Sequence, residues 1–122
     1  MRPYCELPGL EHVYLEDSYL LAIGESDCEL RFEVEAVITE AHPRWSTPKP
    51  GEQYSYLRVD LVFADPRRID WIERKLKPIA GPDGEIDHGN IDSFVWDVSW
   101  FELQGEWGHI RVDADTLTVR ER

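Results

Sequence analysis

The sequence predicts a mainly β protein: an antiparallel β-sandwich or partly open barrel of about seven strands, with at most one short helix. Three observations predict it. Apolar and polar residues alternate with period two along much of the chain, which is the signature of strands with one wet face. Turn-forming residues recur at close spacing between these runs. The length of 122 residues fits one core and leaves no room for a second. Residues 1–122 are therefore read as a single acidic β domain. A chain of this size buries roughly two-thirds of its unfolded surface and needs no metal or disulfide staple.

The first strand is expected over 19–23, and Gly24, Glu25, Ser26 and Asp27 form the hairpin turn that follows it. From 28 to 38 the even positions Leu30, Phe32, Val34, Ala36 and Ile38 are apolar, while Glu29, Arg31, Glu33 and Glu35 are charged. Pro43, Pro48, Pro50 and Gly51 make 40–53 a loop, long enough to be functional rather than merely connecting. Alternation resumes over 54–63, with Leu57, Val59, Leu61 and Phe63 on one side and Tyr54, Tyr56, Arg58 and Asp60 on the other. Ala64, Asp65 and Pro66 end that strand.

Residues 67–79 carry two patterns. Ile69, Ile72, Leu76 and Ile79 have helical spacing behind Asp65 and Pro66, which suit a helix start. Ile69 and Trp71 instead alternate as a strand would. A strand over 68–74 is the expectation, and a short helix is the alternative. Beyond the 81–90 loop, Phe94, Trp96, Val98 and Trp100 mark a strand in even phase, whereas Phe101 and Leu103 are apolar in odd phase. Such a flip within one strand implies a β-bulge near Trp100 and Phe101. Gln104, Gly105 and Glu106 turn the chain, and Trp107, Ile110 and Val112 carry the return strand. Asp113, Ala114 and Asp115 turn again, and Leu117 with Val119 close the sheet.

Charge is the sharpest global property. Twenty-five acids against thirteen bases leave a net charge of −12 at pH 7. A field of this sign repels phosphate backbones and anionic lipid, so neither nucleic acid nor a membrane surface is an expected partner. It attracts basic proteins; it also keeps proteins soluble, the commoner reason for an acidic surface. Cys5 and Cys28 belong to no CxxC or Cys/His cluster. The first residues lack an apolar signal-like run, which predicts a cytoplasmic location and free thiols, with a Cys5–Cys28 bridge as the alternative.

Several clusters invite chemistry. Asp83, Glu85, Asp87 and Asp92 place four carboxylates in the 83–92 loop, as a hard cation requires. The EF-hand test fails: counted from Asp83, the obligatory glycine falls on His88 and the closing glutamate on Phe94. Turn chemistry at Asp83-Gly84 and His88-Gly89-Asn90 is the preferred reading, and no metal site or cofactor is expected. His12 near Glu16 and Asp17 is the one titratable group worth testing as a general base. No glycine-flanked serine or spaced cysteine accompanies it, so no catalytic residue is assigned and turn or capping roles are preferred. His42 and His109 lack zinc spacing. Trp96, Trp100 and Trp107 are expected in the core. Trp45, in the proline-rich loop, is the candidate exposed anchor.

The phrases Tyr14-Leu15-Glu16-Asp17-Ser18-Tyr19-Leu20-Leu21-Ala22-Ile23, Ala41-His42-Pro43 with Pro48-Lys49-Pro50-Gly51-Glu52, Gly84-Glu85-Ile86-Asp87-His88-Gly89-Asn90-Ile91-Asp92 and Leu103-Gln104-Gly105-Glu106-Trp107-Gly108 resemble a family of short bacterial proteins of unknown function. That family's plan is similar to small immunity-type proteins of polymorphic toxin systems. The resemblance implies a small antiparallel domain and brings no catalytic residues. The expected function is accordingly a non-enzymatic cytoplasmic binding domain, an immunity-like inhibitor of a basic toxin or other protein partner. Glu33, Glu35, Trp45, Asp83 and Asp87 are its candidate contacts, since they join charge to an aromatic anchor. The alternative is a β domain that binds a small ligand or divalent cation through the 83–92 loop.

Overall fold

Inward-facing aliphatic and aromatic side chains of two antiparallel sheets form the core of this β-sandwich, which is not closed into a barrel. The computed structural model describes residues 1–75, 79–80 and 86–122. The described strands are β1 (Arg2–Pro3), β2 (Val13–Glu25), β3 (Glu29–Ile38), β4 (Ser55–Ala64), β5 (Arg68–Arg74), β6 (Ile79–Ala80), β7 (Ile86–Asp87), β8 (Ile91–Asp97), β9 (Trp100–Gly105), β10 (Gly108–Asp113) and β11 (Leu117–Glu121). One sheet has the order β1-β8-β9-β10-β5 and the other β11-β4-β3-β2, with β6 and β7 as a separate short pair. Among the described residues the only helical turn is a 3-10 turn at Tyr4–Glu6. No helix there is long and apolar enough to cross a membrane.

The alternation of β3 and β4 works as the sequence predicts. Leu30, Phe32, Val34 and Ala36 lie opposite Phe63, Leu61, Val59 and Leu57 in an unbroken register, all facing the core. Phe94, Phe101, Leu103, Ile110 and Val112 answer them from the other sheet. The sheets meet through ring contacts, Phe63 with Phe101 at 5.0 Å and Phe32 with Trp107 at 5.6 Å between centroids. Edge-to-face geometry of this kind adds about 1 kcal/mol per pair beyond area burial.

Residues 68–74 form a strand, the first of the two expectations for that segment. Four other expectations need correction. The phase flip at Trp100 and Phe101 is a tight turn and not a bulge. Asp97 pairs with Trp100 and Trp96 with Phe101, with Val98 and Ser99 forming the turn between them. Across a two-residue turn, even positions on one arm sit opposite odd positions on the other, so the core phase must switch. Trp100 therefore points to the outer surface, under the guanidinium of Arg111 at 4.7 Å, and is not a core residue. The strand expected over 19–23 is longer, Val13–Glu25, and Gly24 and Glu25 belong to it rather than to the turn. Glu16, Asp17 and Ser18 consequently lie within that strand, not in a turn or cap. Cys5 and Cys28 are free and exposed.

The closing hairpin is built on two glycines. Trp107 is fully buried, and its Nε1 donates to the Asn90 carbonyl at 3.0 Å. A Cβ on Gly105 would stand 2.2 Å from that carbonyl oxygen and 2.3 Å from the indole nitrogen. Gly108, at φ +140°, would press a Cβ to 2.3 Å from the Glu73 carbonyl. The bare backbone on both sides of Trp107 is what lets the indole seat.

Candidate partner-binding face

The odd side of β3 carries Glu29, Arg31, Glu33, Glu35 and Val37 to the outer surface of the four-stranded sheet. On that surface Glu35 is flanked by Tyr19 of β2 and Arg58 of β4, and Val37 by Tyr14 and Tyr56. Positions 14 and 19 have opposite parity, so a regular strand would send their side chains to opposite faces. A bulge reconciles them. Residues 15–18 loop out between the Tyr14–Val37 and Tyr19–Glu35 pairs, where β3 spends only Ala36. Ser18 is fully buried in this bulge; its Oγ donates to the Tyr14 carbonyl at 2.6 Å and accepts from the Val37 amide at 2.8 Å. The hydroxyl thus replaces the ladder partner that the bulge removes.

Four of the five tyrosines gather there. Tyr19 and Tyr56 have ring centroids 6.3 Å apart, and Tyr54 meets Tyr56 edge-on at the same distance. Tyr14 and Tyr19 are 44% and 38% exposed, which makes them large amphipathic surfaces open to a partner. The Tyr54 hydroxyl donates to Asp17 Oδ2 at 2.7 Å, and this bond holds its proton above the ordinary range. Partial burial, then the neighbouring Tyr19 and Glu35, push Tyr56 up to about 12. Both phenols are therefore neutral donors at physiological pH.

Glu33 and Glu35 lie on this face, but neither is a bare charge. Arg122 binds Glu33 through Nη2 and Asp60 through Nε at 3.1 Å, and Arg58 stands 3.9 Å from Glu35. Asp60, only 8% exposed, takes its compensation from that same guanidinium. The outer surface of the five-stranded sheet is likewise laced by its own pairs, Arg111 with Asp113 at 3.3 Å and Arg68 with Asp70 at 3.7 Å.

Trp45 is half-buried and packs against the core margin, so it is a tucked anchor rather than a fully exposed one. Its amide donates to the His42 carbonyl at 3.0 Å, and the next amide, of Ser46, donates to Ser55 Oγ at 3.2 Å, fixing the loop to the start of β4. Between this loop and the strands lies an open groove of about 530 Å³, lined among others by Tyr14, Ile38, Glu40, Trp45, Pro48 and Tyr54. Two of the four tyrosines thus serve both the patch and the groove.

The acidic loop separates from this face. Asp83 and Glu85 lie outside the described residues. Asp87 Oδ1 accepts the Gly89 amide at 2.8 Å, and Gly89 sits at φ +94°, the turn chemistry that the glycines suggest. The same segment is fastened to β2: His88 N donates to Leu20 O at 2.8 Å, Leu20 N to Gly89 O at 2.9 Å, and Asn90 Nδ2 to Ser18 O at 2.7 Å. Among the described residues no three His, Cys, Asp or Glu side chains converge as a metal site would need. His12 is exposed, while Glu16 accepts from Tyr4 and Asp17 from Tyr54, so the two acids are held by different partners and neither orients the imidazole.

Of the candidate contacts named from the sequence, Glu33 and Glu35 lie on this face and Trp45 lies beside it; the four tyrosines were not among them. Tyr54 and Tyr56 were visible on the wet side of their strand; Tyr14 and Tyr19 were hidden by the bulge. No family model matches this chain, and neither the curated proteins nor the solved structures searched return a match.

Proposed function

We propose that this chain is a non-catalytic, cytoplasmic protein-binding domain that engages a basic partner through the outer face of its four-stranded sheet, in the manner of an immunity protein blocking a basic toxin. The observation that carries the reading is the tyrosine patch: Tyr14, Tyr19, Tyr54 and Tyr56 beside the Trp45 groove. Tyrosine and tryptophan dominate binding hot spots because they supply large, stiff, amphipathic contact area at low entropic cost. The net charge of −12 supports a basic partner, since a field of that sign steers cations to the surface and discourages acidic competitors.

Affinity capture tests this. The immobilised domain should retain a protein of basic isoelectric point at low ionic strength and release it at about 0.5 M salt, where screening acts within a few ångströms. The purified partner should then bind Tyr19→Ala at least about tenfold more weakly than wild type, as loss of a central aromatic contact requires. Retention of only acidic proteins, or a partner indifferent to Tyr19→Ala and Tyr56→Ala alike, would sink the reading.

A further inference from the structure

The chain uses one device repeatedly on its own tryptophans. Arg2 lies over Trp96 at 5.1 Å, Arg74 over Trp71 at 4.6 Å and Arg111 over Trp100 at 4.7 Å. Trp107 is fully buried. Trp45 is the fifth, and among the described residues no arginine or lysine stands over it. It lines instead the open groove, whose walls combine Tyr14, Tyr54, Pro48 and Ile38 with one carboxylate, Glu40, and no basic residue. Aromatic faces attract a guanidinium, the aliphatic wall suits its methylene stem, and a carboxylate answers its charge.

We infer that the Trp45 groove receives an arginine side chain of the basic protein partner, with the guanidinium against the Trp45 ring and its charge met by Glu40. Arginine is favoured over lysine because its planar, weakly hydrated head stacks on aromatic rings at smaller desolvation cost. This rests on the protein-binding reading above and specifies the partner's contacting chemistry. The surrounding field has the matching sign, at −12 for the chain.

The probes are three capped pentapeptides, glycine apart from a central arginine, lysine or citrulline, titrated into the intact protein while the indole N–H signals are followed by NMR. The arginine peptide should move the Trp45 indole signal with millimolar affinity, and the neutral citrulline isostere should bind about tenfold more weakly. Glu40→Gln, an exposed substitution that leaves the fold intact, should weaken the arginine peptide about threefold. Trp45→Leu, with folding checked by its melting curve, should abolish saturable binding. Equal binding of arginine and citrulline, equal binding of arginine and lysine, or a Trp45 signal that stays still would each overturn the inference. A salt-sensitive basic partner that contacts Tyr19 while the Trp45 signal stays still refutes the arginine pocket and leaves the binding face standing; absence of any such partner removes both.

Discussion

Replacing Ser18 with alanine tests the link between fold and face most directly. The hydroxyl of this fully buried residue makes two hydrogen bonds, a part-buried one to the Tyr14 carbonyl at 2.6 Å and a buried one from the Val37 amide at 2.8 Å. Alanine removes both, leaving a buried N–H and a part-buried C=O without the hydroxyl, which costs about 2–3 kcal/mol in all. For a domain of this size that lowers the melting temperature by about 10 °C, and the urea midpoint by about 1–2 M. The Val37 amide should exchange with solvent much faster than its neighbours. Because the bulge alone puts Tyr14 and Tyr19 on one face, partner binding should weaken as well, although Ser18 touches no partner. Ser93→Ala, at an exposed position, is the control and should change stability by less than about 0.5 kcal/mol. If Ser18→Ala melts like the control and its Val37 amide stays protected, the hydroxyl does not hold the bulge and the derivation of the tyrosine face fails.

Gly105→Ala should destabilise by about 3 kcal/mol or more, since its methyl meets the Asn90 carbonyl and the Trp107 indole at little over 2 Å; a melting curve within 2 °C of wild type would show that the Trp107 seat is not tight. Asp87→Ala should cost about 1 kcal/mol by freeing the Gly89 amide, whereas Asp87→Asn, which keeps an acceptor, should cost far less; equal losses would mean that the charge rather than the turn matters. Tyr56 has its folded pKa raised to about 12 from 10.0, so the folded state holds that proton more tightly. Its contribution to stability is complete below about pH 10 and is lost as pH rises towards 12. Tyr56→Phe should flatten the decline of melting temperature across that window relative to wild type, and parallel curves would contradict the assignment.

How much was legible in the sequence follows from where the ladders are regular. β3 and β4 pair without interruption from Glu29–Ala64 to Ile38–Ser55, so parity alone gives their inner and outer faces, and Glu33, Glu35, Tyr54 and Tyr56 could be placed on the wet side from the letters. β2 breaks register twice, at residues 15–18 and again at Leu21, and each break scrambles the period-two signal that would have revealed its full length. The β8–β9 hairpin turns on Val98 and Ser99, without the Asn-Gly or Gly-Gly that marks such turns, so a phase change was all the sequence offered. The same phase change fits a bulge or a tight turn; only pairing decides. Trp45 stood out because a proline-rich loop carries an isolated indole, while its half-burial against the core depends on contacts from distant strands.

On the proposed reading, the ion pairs of Glu33 and Glu35 imply a division of roles between the acids and the tyrosines. Neutralising Glu35 removes one of 25 acids and changes a net charge of −12 only to −11, so the long-range field and the association rate hardly move. Its local effect is confined to the contact with Arg58, whose guanidinium loses the carboxylate 3.9 Å away. Charge reversal at several scattered acids should therefore slow association in a salt-dependent way without shortening the life of the complex. Removing Tyr19 or Tyr56 leaves the net charge intact, so association should proceed at the wild-type rate while dissociation accelerates. Surface plasmon resonance separates the two. A tyrosine variant that slows association and spares dissociation would place the tyrosines outside the contact and return the functional weight to the acids alone.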